Sequence, residues 1–257
     1  MLGALRGSTL PNVERECALT LLVALSGADG LVVASDSRGT FGDPRGITAQ
    51  NDSQKKLYVT SKYTAILAAG SGELGAQVMA EVTASTKNIE GITPIMDATR
   101  NLVRQRYGDW FGRFAIQPLP NVPAPVRPDL ALLMAGYDVD TTGKLVDQKI
   151  FQLISQADFA PMLHNYGFAL TGVAQYALYL LNRLYQRDST VEQLKALAAY
   201  VITETASQDG KVGGRVHMAT ITPADGCKEL TTEEVEQIIA QNVRRSESLK
   251  DSFFRQG

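Results

Sequence analysis

The run Gly70-Ser71-Gly72-Glu73-Leu74-Gly75 has the spacing G-x-G-x-x-G, follows a strand-like run and opens a helical one. Glu90 stands some twenty residues further on, where a dinucleotide site keeps its ribose-binding acid. A dinucleotide-binding enzyme using Gly70–Gly75 is therefore one reading of the chain. The surroundings speak against it. The strand before the glycines belongs to a tight hairpin, and the helix after them leads to another helix instead of a parallel strand. Other chemistry is sparse. His164 and His217 are the only histidines, and no Cys, His and carboxylate residues stand at ligand spacing, so no metal and no cofactor are expected. Cys17 and Cys227 read as small inert side chains, and Cys17 has no base nearby that would make it a nucleophile. Trp110, Phe111 and Phe114 read as a hydrophobic anchor or a subunit contact.

The elements that position these residues follow from periodicity. Short apolar runs at Thr20–Leu25, Leu31–Ser35, Leu57–Thr60 and Thr64–Ala69 are bounded by turn residues and joined by short connections, which predicts antiparallel pairing. From Gly70 the period changes. Leu74, Val78 and Val82 predict one helix and Ile95, Ala98, Leu102 and Val103 a second, opening at Thr93 or Pro94. The stretch 108–128, with Pro118, Pro120, Pro123, Pro125 and Pro128, reads as a rigid insert. Strands resume at Leu130–Ala135, Lys149–Ile154 and Gly167–Leu170. Two more helices follow, then a strand at Arg215–Thr222. A last helix is capped by Thr231-Thr232-Glu233-Glu234. Pairs of helices in succession exclude a regular β-α alternation. They predict an α+β chain of stacked antiparallel sheets with helix pairs outside.

Composition narrows the class. The 257 residues carry 25 Lys+Arg against 27 Asp+Glu, a net charge of -2, with 44% hydrophobic and 20% charged residues. That apolar content excludes disorder as the dominant state. Near-neutral charge without a basic run argues against nucleic acid as a partner. The longest apolar runs, such as Leu21–Leu25, fall far short of the ~18 residues that span a bilayer, so no membrane partner is expected. Arg6 is followed by no apolar h-region, and two cysteines make no disulfide framework. A cytoplasmic setting is the expectation.

Thr20-Leu-Leu-Val-Ala, Asp29-Gly30-Leu-Val-Val-Ala34-Ser-Asp36-Ser-Arg38, Lys55-Lys56-Leu57 and Ala69-Gly70-Ser71-Gly72 together resemble the front of a proteasome β-type subunit. The resemblance continues at Asp129–Gly136, at Thr171-Gly172, and from Asp209 through Gly213-Gly214. It thus spans roughly residues 20–240 in order. It implies an N-terminal nucleophile hydrolase fold, a four-layer α/β/β/α sandwich over 20–257, with residues 1–19 as a leader or propeptide-like arm. It also implies a threonine endopeptidase cutting unfolded peptide inside a homo-oligomeric ring or double ring, fed in some settings by an ATPase. Carried over position by position, Thr20 is the nucleophile and its freed α-amine the proton acceptor. Asp36 is the buried acid, Lys56 the activating lysine, the N–H of Gly70 the oxyanion donor and Asp209 a second supporting acid.

Taken singly, these residues have plainer readings: Thr20 as a strand start, Asp36 and Arg38 as a solvated strand end, Lys55-Lys56 as a surface pair. Leu19 stands before Thr20, and Val173 and Val212 occupy positions the family usually gives to serine. These departures define the alternative, a catalytically silent structural subunit of such a particle.

Overall fold

The computed structural model describes residues 20–43, 46–112 and 127–254. Two five-stranded sheets, antiparallel throughout, stack face to face. In the first, β10 (Phe168–Gly172), β1 (Leu21–Ser26), β2 (Leu31–Ser35), β11 (His217–Thr222) and β12 (Gly226–Glu229) lie in that order. The second runs β5 (Leu57–Ser61), β6 (Thr64–Gly70), β7 (Leu130–Val139), β8 (Leu145–Ile154) and β9 (Met162–Leu163). A hairpin of β3 (Gly39–Asp43) and β4 (Gly46–Asn51) stands apart from both. Helices α1 (Gly72–Thr86) and α2 (Ile92–Phe111) cover the second sheet. Helices α3 (Ala174–Leu184), α4 (Val191–Gln208) and α5 (Thr232–Phe254) cover the first. The result is the four-layer α/β/β/α sandwich.

The layering explains why the central strands are continuous apolar runs. In β1, Leu21, Val23 and Leu25 face the helices while Leu22 and Ala24 face the other sheet. In β6, Ala65, Leu67 and Ala69 face between the sheets, and Ile66 and Ala68 face α1 and α2. A strand buried on both faces has no solvent side to show as a polar alternation. The expected pairing of the strands at Thr20 and Leu31 is present: Leu22 lies opposite Ser35, and both strands are interior to their sheet.

Three expectations need correction. The insert does not begin at 108, because α2 runs through to Phe111 with Tyr107, Trp110 and Phe111 packed on the second sheet's outer core; its middle, with Phe114, lies outside the described residues. Likewise Cys17 and the arm 1–19 lie outside them. The dinucleotide reading fails on topology. The strands flanking α1 and α2, β6 and β7, are antiparallel neighbours paired from Thr64–Gly136 to Gly70–Leu130, so no parallel crossover exists around Gly70–Gly75. Lys56 and Asp36 are not surface groups: both are nearly inaccessible, at 3% and 0% exposure.

Candidate active site

Three chain segments bring the chemistry together. Thr20 stands immediately before β1, on the face that Leu22 continues between the sheets. Asp36 follows the last residue of β2, and its N–H still donates to Leu21 O (3.2 Å), which keeps it in register beside Thr20. Lys56 precedes β5, at the edge of the opposite sheet. The two sheets therefore meet at this end of the sandwich through side chains.

The Lys56 ammonium has three N–H groups and three acceptors. It donates to Thr20 Oγ1, to Asp36 Oδ1 at 2.6 Å and to the carbonyl of Arg38 at 2.7 Å. Thr20 Oγ1 donates in turn to Asp36 Oδ1. The same carboxylate oxygen accepts from the N–H of Leu21 (3.1 Å), and Oδ2 accepts from the N–H groups of Arg38 (3.3 Å) and Gly213 (3.1 Å). Five donors thus converge on the two oxygens of one buried carboxylate. Burial pushes the Lys56 ammonium below the ordinary lysine range, and the adjacent Asp36 carboxylate pulls it part of the way back. A lysine so placed gives up its proton more readily than a surface lysine.

Thr20 and Lys56 line a cleft of about 760 Å³. Its lining includes the small residues Ala68, Ala69, Gly70, Gly72 and Ala76 together with Gly39, Thr40, Asn51 and Gln54. Gly70 has φ of 123°, a region side chains avoid, and a Cβ there would run into the Asp129 carbonyl. The chain can turn from β6 into α1 beside Thr20 only with glycine.

The structure places the remaining predicted residues differently. Asp209 caps the end of α4, and its carboxylate accepts from Lys211 N (2.9 Å) in its own turn; among the described bonds none joins it to Thr20 or Lys56. That turn ends at Gly213, so Asp209 meets the centre only through the loop. Val212 is fully buried in the core between the first sheet and its helices, and Val173 packs against the same core. The Val173 N–H donates to Thr20 O at 2.8 Å. The backbone contributors are not foreseen from the sequence: the N–H groups of Leu21, Arg38 and Gly213 and the carbonyl of Arg38. The Gly213-Gly214 pair was the available signal. Among the described residues no three His, Cys, Asp or Glu side chains gather as a metal would require, and no helix is long and apolar enough to cross a membrane.

A proteasome subunit beta of Gordonia bronchialis is 25% identical to the chain over 239 residues, covering 88% of the chain and 75% of the relative. One from Streptomyces griseus subsp. griseus is 25% identical over 240 residues, covering 88% and 76%. Among solved structures, Anbu (ancestral beta-subunit) from Yersinia bercovieri matches with a TM-score of 0.69 over 93% of the chain and 98% of that protein, at 16% identity. The chain is proteasome-like. Its sandwich is the N-terminal nucleophile hydrolase fold. No family model matches the chain. In this proteasome-like chain the threonine, acid and lysine of the resemblance fall on Thr20, Asp36 and Lys56, the three side chains that share one hydrogen-bonded cluster at the cleft.

Proposed function

We propose that the chain is a threonine endopeptidase of the proteasome-like kind, with Thr20 as nucleophile once residues 1–19 have been removed. The observation that supports this most is the buried Lys56 ammonium, bonded at once to Thr20 Oγ1 and to Asp36 and open to a substrate-sized cleft. Thr20 Oγ attacks the scissile carbonyl while its proton passes to the freed α-amine. That amine has a reference pKa of about 7.7–8.0, which suits proton transfer near neutrality. Lys56 holds the site electropositive and favours the alkoxide. The N–H of Gly70 receives the developing oxyanion, a contribution of about 3 kcal/mol in comparable sites. The amine half of the peptide leaves with the transferred proton, and water then cleaves the Thr20 ester. The substrate is unfolded polypeptide and the working form a homo-oligomeric ring in the cytoplasm.

The burial of Val212 in an apolar core favours a second reading, a silent subunit that keeps the cluster as packing. N-terminal sequencing and intact mass, together with hydrolysis of an unfolded polypeptide by wild type and Thr20→Ala, separate the two. A mature Thr20 terminus and cleavage that vanishes in Thr20→Ala are expected. A chain engineered to begin at Thr20 that cleaves nothing would leave the silent subunit as the answer.

A further inference from the structure

Arg38 lends its carbonyl to Lys56, but its side chain leads elsewhere. Nε and Nη2 form a fork on Asp52, at 2.7 Å to Oδ1 and 2.8 Å to Oδ2. Nη1 donates to Gly210 O at 2.9 Å and approaches Val212 O at 3.5 Å. The guanidinium lies directly against Gly213, where a Cβ would stand 2.7 Å from Nη1 and 2.8 Å from Nη2. A side chain at 213 would displace the guanidinium from this position. Gly213 in turn donates its N–H to Asp36 Oδ2, and its carbonyl accepts from Ser37 N (3.1 Å) and Arg38 N (3.0 Å). The Ser37 hydroxyl closes the ring: it donates to Asp52 O and accepts from Arg215 N, each at 2.7 Å.

We propose that Arg38 is a positioning residue for the Thr20–Asp36–Lys56 centre. Its guanidinium clamps the 210–213 turn and Asp52 onto the segment 36–38. That holds the Gly213 N–H on Asp36 and the Arg38 carbonyl on Lys56. The ion pair itself contributes little to stability, because Asp52 is 47% exposed and solvent screens it. The value of the contact lies in geometry: the planar guanidinium makes two parallel bonds to the Asp52 carboxylate while its third nitrogen holds the Gly210 carbonyl, and a lysine ammonium, a point charge, does not reproduce that fork. One donor to Asp36 and one acceptor from Lys56 thus depend on a side chain that is not among the residues lining the cleft.

The kinetic half of the test rests on the peptidase reading, so the first readout is independent of it. NMR of the lysine ε-carbons in the full chain, with the Lys56 signal assigned by its loss in Lys56→Arg, follows that ammonium through its titration. In Arg38→Ala the Lys56 midpoint should move up toward the other lysines. Water enters, a neighbouring cation is gone and Asp52 is left unpaired; all three raise the midpoint, and relief of burial, the largest influence on this group, outweighs the loosened Arg38 carbonyl, which alone would lower it. An unmoved Lys56 midpoint overturns the proposal even if the protein cleaves nothing. In peptide hydrolysis, Arg38→Ala should lower kcat at least tenfold with KM within twofold. Arg38→Lys should fail to restore it, and Asp52→Asn should cost less than threefold. Full rescue by lysine would mean that a bare charge suffices, and an unchanged kcat would mean that the clamp does nothing; either result overturns it.

Discussion

The Lys56 ammonium sits 2.6 Å from Asp36 Oδ1, and the two side chains are 4% and 1% exposed. Neither charge has water to fall back on. Removing one partner strands the other, at a cost of about 3–5 kcal/mol, whereas removing both together costs much less. Asp36→Asn and Lys56→Met should each destabilise the chain by that order. The double substitution should be less damaging than the two singles added. Urea denaturation of the four proteins gives the coupling directly. Additive losses would mean that the pair does not interact in solution.

The same burial sets a pH dependence. Lys56 has a folded pKa below its unfolded value of about 10.4. Between those values the unfolded chain holds a proton that the folded chain has lost. The contribution of this group to stability therefore rises with pH across that window, and the burial penalty is complete below it. Wild type minus Lys56→Met, compared by urea midpoints at pH 7 through 10, should show the rise. A difference that stays flat would place Lys56 in water.

A second, partly buried charge acts with the opposite sign. Gly91 at the start of α2 offers no capping side chain, and Asp138 from the end of β7 takes the place. Its carboxylate accepts from Thr93 N (2.8 Å), the Thr93 hydroxyl (2.7 Å) and Lys149 Nζ (2.5 Å). Burial pushes the Asp138 carboxyl up, but the bonds from Lys149 and Thr93 outweigh it and hold the pKa below the usual range. The stabilisation is thus present above about pH 3.9 and lost as pH falls through the lower folded value. Asp138→Asn should cost about 1 kcal/mol at pH 7, a capping-scale loss trimmed by partial solvent access. The cost should shrink as pH is lowered from 7 through the acid range. A cost that stays constant over that range would show that the charge is irrelevant.

Much of this was legible in the chain. Apolar runs and turn residues mark the strand boundaries on which Thr20, Asp36 and Lys56 stand, but that the three side chains meet was implied by the family resemblance and not by the runs themselves. The β3–β4 hairpin was not legible, because Gly39, Gly42 and Gly46 interrupt any alternation and its strands join neither large sheet. The short β9 and β12 lack enough residues to show a period. The end of α2 is hidden in the sequence by the prolines further along, whereas packing of Tyr107 and Phe111 holds residues 108–111 as helix. Asp209 was credited with a site role on position, while its bonds are spent on its own turn.

Gly70 makes a sharp test of the turn beside Thr20. Gly70→Ala would place a side chain at φ of 123° and against the Asp129 carbonyl. Backbone strain alone costs about 1–3 kcal/mol. Relief requires the turn to move, and with it the N–H assigned to the oxyanion. Thermal unfolding should fall by several degrees while activity falls much further. A stability loss with activity retained would take Gly70 out of the catalytic reading.

The two valines at the family's serine positions should respond in opposite ways. Val212 is fully buried among apolar side chains, so Val212→Ser puts a hydroxyl where the described core offers it no evident partner. A loss of about 1–3 kcal/mol is expected. Val173 is the N-cap of α3 and makes no side-chain cap bond, while its own N–H is tied to Thr20 O. Val173→Ser supplies the missing cap acceptor and should stabilise the chain by about 1 kcal/mol. It also places a hydroxyl next to the residue whose amine must move a proton. If the chain is an impaired peptidase, Val173→Ser should raise the hydrolysis rate with no loss of stability. Val212→Ser should gain nothing unless the core yields. Urea midpoints and hydrolysis rates measured on the same preparations decide it. Equal destabilisation by both substitutions would mean that the α3 N-terminus is already satisfied. An unchanged rate in a stabilised Val173→Ser chain beginning at Thr20 would point to the silent subunit.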